Sequence, residues 1–263
     1  MPSPKDIKYF QNTVLAWYIQ NRRDLPWRNT INPYHIRVSE IMLQQTQVDR
    51  VIPKYLHFLD LFPTIQYLAT ADKHTLLQAW SGLGYNSRAL NMQKVAQELV
   101  ETHQWVMPDT PEWLRRLPWI WPYTSGAICA FAYNKAVPVV DINIKRVLIH
   151  TFGLPEDISM QDLETLAVHC VPKGKSCIWH NALMDYGSLV LHSKKTGIKS
   201  AKQSTFHGST RWVRGNLMKH LTKFGAITID DAKKKLHHEQ FDAILAKMVK
   251  EGIVTVDDWI IWL

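Results

Sequence analysis

The chain has 263 residues, 46% of them hydrophobic, with a formal net charge of +8. That length suffices for one large domain or two small ones, and the positive balance suits a polyanionic partner, nucleic acid first. Three cysteines, Cys129, Cys170 and Cys177, argue against a disulfide scaffold, and neither a signal core in MPSPKDIKYF nor an apolar run of about 18 residues is found, so a soluble, cytoplasmic protein without membrane contact is expected (nucleoid-associated if prokaryotic).

Residues 4–20 read as an amphipathic helix with Ile7, Phe10, Val14, Leu15 and Tyr18 on one face. Arg22-Arg23-Asp24-Leu25-Pro26-Trp27-Arg28 ends it, and Pro33 opens a helix running from Tyr34 to about Val51. Further helices are expected over 53–61, 64–70, 73–80, 86–103, 111–116, 124–133, 142–152, 159–170 and 178–192, with proline and glycine at the joins. No alternating strand pattern dominates before residue 200, so this part is expected to be all-α.

Lys, Ser and Gly dominate 193–209, which reads as a basic linker. Three helices follow, WVRGNLMKHLTKF, ITIDDAKKKL (capped at Thr228 or Asp230) and QFDAILAKMVKEG, the last ended by Gly252. IVTVDDWIIWL then reads as two short strands about Asp257-Asp258. This order resembles a winged helix. Such domains often bind DNA through the third helix, which is not notably basic here; a packing or protein-interaction module is the other reading.

The segment around Asp141 draws attention because a lone acid lies between the apolar runs Ala136-Val137-Pro138-Val139-Val140 and Ile142-Asn143-Ile144-Lys145-Arg146-Val147-Leu148. A carboxylate there is costly unless it is bonded or used. It can cap the following helix, serve chemistry, or do both. Eleven tryptophans supply core and, where exposed, surfaces on which bases stack.

Several stretches in order resemble the helix-hairpin-helix DNA glycosylase superfamily, and most its adenine DNA glycosylase (MutY) branch. They are RRDLPWR at 22–28, PYHIRVSEIMLQQTQV at 33–48, GLGYNSRA at 82–89, LPWIWPYTSGAI at 117–128, VPVVDINIKRVL at 137–148 and NALMDYGSLV at 181–190. The resemblance implies a mainly α, two-lobed helix-hairpin-helix glycosylase fold over residues 1–195. It has a six-helix lobe of about 30–136 and a second lobe from 1–29 plus 137–195, with DNA and the extruded base in the cleft between them. A basic linker at 196–209 and a small winged-helix-like α+β domain at 210–263 follow.

Cutting an N-glycosidic bond to adenine needs a proton on the purine and an anion beside the sugar, where positive charge develops. Two carboxylates in different environments divide those tasks. The resemblance makes Glu40 the acid. Burial beside Ile36 and Leu43 would raise its pKa, whereas exposure or pairing with Arg37 would leave it an ordinary surface acid. The resemblance also makes Asp141 the stabiliser of the sugar cation, with Asn143 supporting it. Tyr123 stands where bifunctional relatives carry a Schiff-base lysine, so hydrolysis without strand cleavage is expected. Gln45 and Tyr85 match residues that fill the stack near a flipped base, with a core Tyr and a solvated Gln as the plain reading. Arg23, Arg28 and Arg88 are candidate phosphate contacts. The implied partner is double-stranded DNA with a mispaired or damaged base, bound by a monomer.

Three departures from the family pattern stand out. The hairpin that normally reads LPGVG is Leu117-Pro118-Trp119-Ile120-Trp121 here, followed by Pro122. Trp119 and Trp121 thus either face DNA or seal a domain join. Leu191 stands where the first cysteine of the family's iron–sulfur loop would be, and no cysteine follows Cys177, so no cofactor or metal is expected. Lysines 194, 195, 199 and 202 follow instead. Finally, the domain that recognises 8-oxoguanine opposite adenine has no counterpart in the residues after Ser209. A thymine or uracil mismatch glycosylase on the same scaffold, and a DNA-binding protein without catalysis, therefore stay open beside adenine excision.

Overall fold

The computed structural model describes residues 1–102, 104–198 and 205–263. The chain is mainly helical and divides into two compact units, Met1–Glu40 with Met107–Ala201, and Ile41–Val106 with Lys202–Leu263. Residues 107–136 group with 137–195, and the C-terminal helices group with 41–106.

In the first unit, α1 (Pro4–Asn21) starts at a Ser3–Asp6 capping box, where each side chain satisfies the other's backbone N–H. Its face of Phe10, Val14 and Tyr18 enters a core shared with α9 (Ile142–Phe152), α10 (Met160–His169) and α11 (Ser176–Leu189). Phe10 meets Phe152 and Trp179 edge-on, each at 5.2 Å. The buried helix expected from AICAFA is α8 (Pro122–Ala132), following α7 (Pro111–Leu114).

Two glycines set how closely these elements approach. A Cβ on Gly126 would lie 2.4 Å from the Pro138 carbonyl oxygen, and one on Gly187 would lie 2.5 Å from that of Asn143. Only glycine lets α8 lie against the segment leading to Asp141 and lets α11 lie on the first turn of α9. Within the expected linker Ser193–Thr196 form α12 and Ile198 is buried, while Lys199 and Lys202 lie outside the described residues.

The second unit corrects a boundary. The helix expected over 34–51 is two helices, α2 (Pro33–Leu43), within which the division between the units falls, and α3 (Val48–Leu61), which runs through Pro53. The break comes at Gln45, whose φ is +56°. α4 (Ile65–Thr70), α5 (Lys73–Trp80) and α6 (Ser87–Thr102) follow close to the expected bounds. Gln93 of α6 donates to the carbonyls of Leu68 (3.2 Å) and Ala71 (2.6 Å), satisfying the end of α4.

The C-terminal part of this unit holds α13 (Thr210–Phe224), β1 (Ala226–Thr228), α14 (Ile229–Leu236), α15 (Phe241–Lys250), β2 (Thr255–Asp257) and β3 (Ile260–Trp262). Thr228 is the cap of α14. The two expected strands gain β1 as a third, in the antiparallel order β1-β3-β2. Ile261 pairs with Ile227 and Val256 on the buried face. α13 packs on α5.

Candidate active site

Three elements of the first unit bring Glu40, Tyr123 and Asp141 together. Glu40 lies on the last turn of α2 and is 7% exposed. Burial pushes its carboxyl pKa up to about 7; the Tyr123 hydroxyl, which donates to it, works downward, and Asp141 nearby works upward. Tyr123 is the second residue of α8, behind Pro122 at the first helical position. Burial, then the two acids, raise its phenol pKa well above 10.0, so it is a neutral donor.

Asp141 is the N-cap of α9. Its Oδ1 accepts from the Ile144 N–H and its Oδ2 from Asn143 Nδ2, each at 2.7 Å. Asn143 Oδ1 in turn accepts from Arg146 Nη1 at 3.0 Å, and Arg146 Nε donates to the Ile198 carbonyl. Surrounding protein raises the Asp141 pKa from 3.8, while the bonds from Ile144 and Asn143 and the charge of Arg146 favour the carboxylate. The residue keeps part of its surface open to solvent. The environments of the two acids differ. Asp141 has backbone, amide and helix-terminus support for its charge, and Glu40 has one hydroxyl. A proton held by the pair therefore belongs on Glu40, the assignment needed for an acid beside an anion. Capping α9 and a place beside Glu40 and Tyr123 coexist at Asp141.

The arginines expected to contact phosphate make bonds within the protein. Asp185, on α11 and 0% exposed, receives Arg23 Nε at 2.6 Å, the Arg23 backbone N–H at 3.0 Å and a bidentate pair from Arg28 at 2.7 and 2.8 Å. Burial alone would raise the Asp185 pKa, but the arginines bring it below 3.8. These bonds fold the RRDLPWR loop back onto α11. Sequence reasoning missed Asp185, although a lone acid inside ALMDYGSLV is the same signal that marked Asp141. Arg88 is likewise turned inward, toward backbone carbonyls of its own unit.

Gln45 and Tyr85 are both exposed, Tyr85 by 42%, and both have positive φ, +56° and +46°. Tyr85 is thus not the core residue of the plain reading, whereas the exposed Gln45 agrees with the solvated Gln of that reading. In the altered hairpin Ile120 is buried, while Trp119 (φ +56°) and Trp121 are 40% and 66% exposed. Where the family's iron–sulfur loop would begin, Leu191 stands in place of a cysteine and supplies no cluster ligand; it is buried with Ile198 in the core that holds Phe10, Leu148, Cys170 and Trp179.

Residues 38–173 match the model of the HhH-GPD superfamily of base excision DNA repair proteins. An adenine DNA glycosylase of Mycolicibacterium smegmatis is 33% identical over 227 residues, covering 78% of this chain and 78% of that protein. The mouse adenine DNA glycosylase is 37% identical over 198 residues, covering 70% of this chain but only 38% of its own length. Among solved structures, a thermostable thymine-DNA glycosylase superposes with a TM-score of 0.67 at 27% identity, covering 73% of this chain and 90% of that one.

Proposed function

Because this chain belongs to the HhH-GPD superfamily of base excision DNA repair proteins, on the adenine DNA glycosylase branch, we propose that it is a monofunctional DNA N-glycosylase. It acts as a monomer on double-stranded DNA and hydrolyses the bond between the sugar and a flipped adenine opposite guanine or 8-oxoguanine. The observation that carries this reading is the pairing of a buried, hydroxyl-bonded Glu40 with a capped, amide-bonded Asp141.

Glu40 gives its proton to the purine, so the base leaves as a neutral molecule with the electron pair of the broken bond. Asp141 stabilises the positive charge left at C1′ and accepts a proton from the water that attacks there. Asn143 and Tyr123 hold the two acids. Tyr123 has no amine, so no imine forms and the strand is not cut. The product is an abasic site. No cluster or metal is assigned a part. Gln45 and Tyr85 fill the space of the extruded base, which costs a few kcal/mol of unstacking. Trp119 and Trp121 offer stacking faces where glycine backbone would otherwise meet phosphate.

The likeness to a thymine-DNA glycosylase favours a second reading, removal of thymine or uracil opposite guanine by the same two acids. Single-turnover cleavage of labelled duplexes, followed by alkali, separates them. The panel holds adenine, thymine and uracil opposite guanine and 8-oxoguanine. Product from adenine duplexes alone supports the first reading, and product from thymine or uracil alone moves the substrate. Binding without product from any duplex overturns both.

A further inference from the structure

α2 ends at Leu43 and α3 begins at Val48, yet the residues between, Gln44-Gln45-Thr46-Gln47, hold no glycine or proline. Gln45 nevertheless sits in the left-handed region, and so does Tyr85 in the turn between α5 and α6. A side chain there is strained and persists only where its surroundings over-determine it.

One side chain ties both turns. Arg88 Nη1 donates to the carbonyls of Ile41 at 2.6 Å and Gln44 at 2.7 Å, with that of Met42 at 3.5 Å. Its Nη2 donates to the carbonyls of Leu83 and Gly84, both at 3.1 Å. The guanidinium carbon lies 5.4 Å from the ring centres of both Trp80 and Tyr85. Arg88 thus caps the free carbonyls at the end of α2 and fixes the turn before its own helix in one move. A planar fork can serve two turns at once, whereas a lysine is a point charge on a flexible stem.

We propose that Arg88 is a positioning residue for base extrusion, holding the Gln45 and Tyr85 turns so that an amide and an aromatic ring are presented to the DNA stack already formed. This rests on the base-extruding part of the function proposed above. A wedge that is ordered before binding loses less conformational freedom when it enters the stack.

The test reads unstacking apart from excision. A duplex carries a 2′-fluoro-deoxyadenosine, which resists hydrolysis, opposite guanine, with fluorescent 2-aminopurine as its neighbour. Saturating wild-type protein is expected to raise the fluorescence. Arg88→Lys is expected to cut that rise at least about five-fold while duplex affinity changes less than about three-fold. In a Gln45→Ala/Tyr85→Ala background, Arg88→Lys is expected to change the rise no further, because the residues it acts through are gone. A full rise in Arg88→Lys, or an equal further loss in that background, would overturn the proposal. Arg88→Gln repeats the comparison if the lysine variant does not fold, and failure of both to fold would assign Arg88 to stability alone and overturn the proposal. No rise with wild-type protein would also overturn it. A wild-type rise lost in Arg88→Lys, without product from any cleavable duplex, would support it while removing the glycosylase reading.

Discussion

Asn143 bridges Asp141 to a cation: its amide nitrogen donates to the carboxylate at 2.7 Å, and its amide oxygen accepts from Arg146 at 3.0 Å. The carboxylate is thereby fixed at the head of α9 by partners that favour its charged form.

Asp141→Asn removes the charge and keeps a good helix cap. Single-turnover excision is expected to fall by about 10²–10⁴-fold, with the melting temperature changed by only a few degrees. An excision rate within about three-fold of wild type, on the same scale, would remove Asp141 from the chemistry.

The pH dependence follows from Glu40, whose pKa is raised to about 7. A general acid must hold its proton, so the single-turnover rate is expected to fall as pH rises through about 7. Tyr123→Phe removes the hydroxyl that lowers the Glu40 pKa, so the alkaline limb is expected to move to higher pH. A limb that stays put, or moves down, would show that Tyr123 does not govern the acid. Glu40→Gln is expected to abolish the limb along with most of the rate.

Asp185→Asn leaves Arg23 and Arg28 without their buried anion. Removing one partner of a buried pair destabilises by about 3–5 kcal/mol, so a clear drop in denaturant midpoint is expected. Asp185→Glu is expected to recover only part of it, because the fork geometry at 2.7 and 2.8 Å is set for the shorter side chain. An unchanged midpoint in Asp185→Asn would refute the folding role.

Gly187→Ala is expected to reduce both stability and excision. Its methyl group would meet the Asn143 backbone at 2.5 and 2.8 Å and the Asn143 Cβ at 2.9 Å, and overpacking of this kind costs about 1–3 kcal/mol. The excision loss, measured single-turnover on folded protein, should exceed that of an alanine at solvent-facing Gly215, whose Cβ would meet nothing within 4 Å.

The helical character of the chain and the capping geometry at Asp141 were legible because both are local. Apolar spacing and a lone acid ahead of INIKRVL announce them. What escaped depends on partners far along the chain. The end of α2 carries no glycine, and its cap is the side chain of Arg88. Arg23 and Arg28 look like free surface cations until Asp185 appears beside them. β1 is three residues long and gains its strand identity from pairing with β3. The nearness of Glu40, Tyr123 and Asp141 came from the family resemblance, since no periodicity joins residues so far apart.

The cap seen at Asp141 and the chemistry proposed for it bear on how this site would decay. A descendant released from its catalytic task would still be held to Asp, Asn, Ser or Thr at 141 by the needs of α9 alone. Glu40 has no such protection, because an acid buried to this degree strains the fold, and a neutral residue would relieve it. Drift would therefore show first at position 40, and a buried glutamate retained there records selection on chemistry more faithfully than the aspartate does.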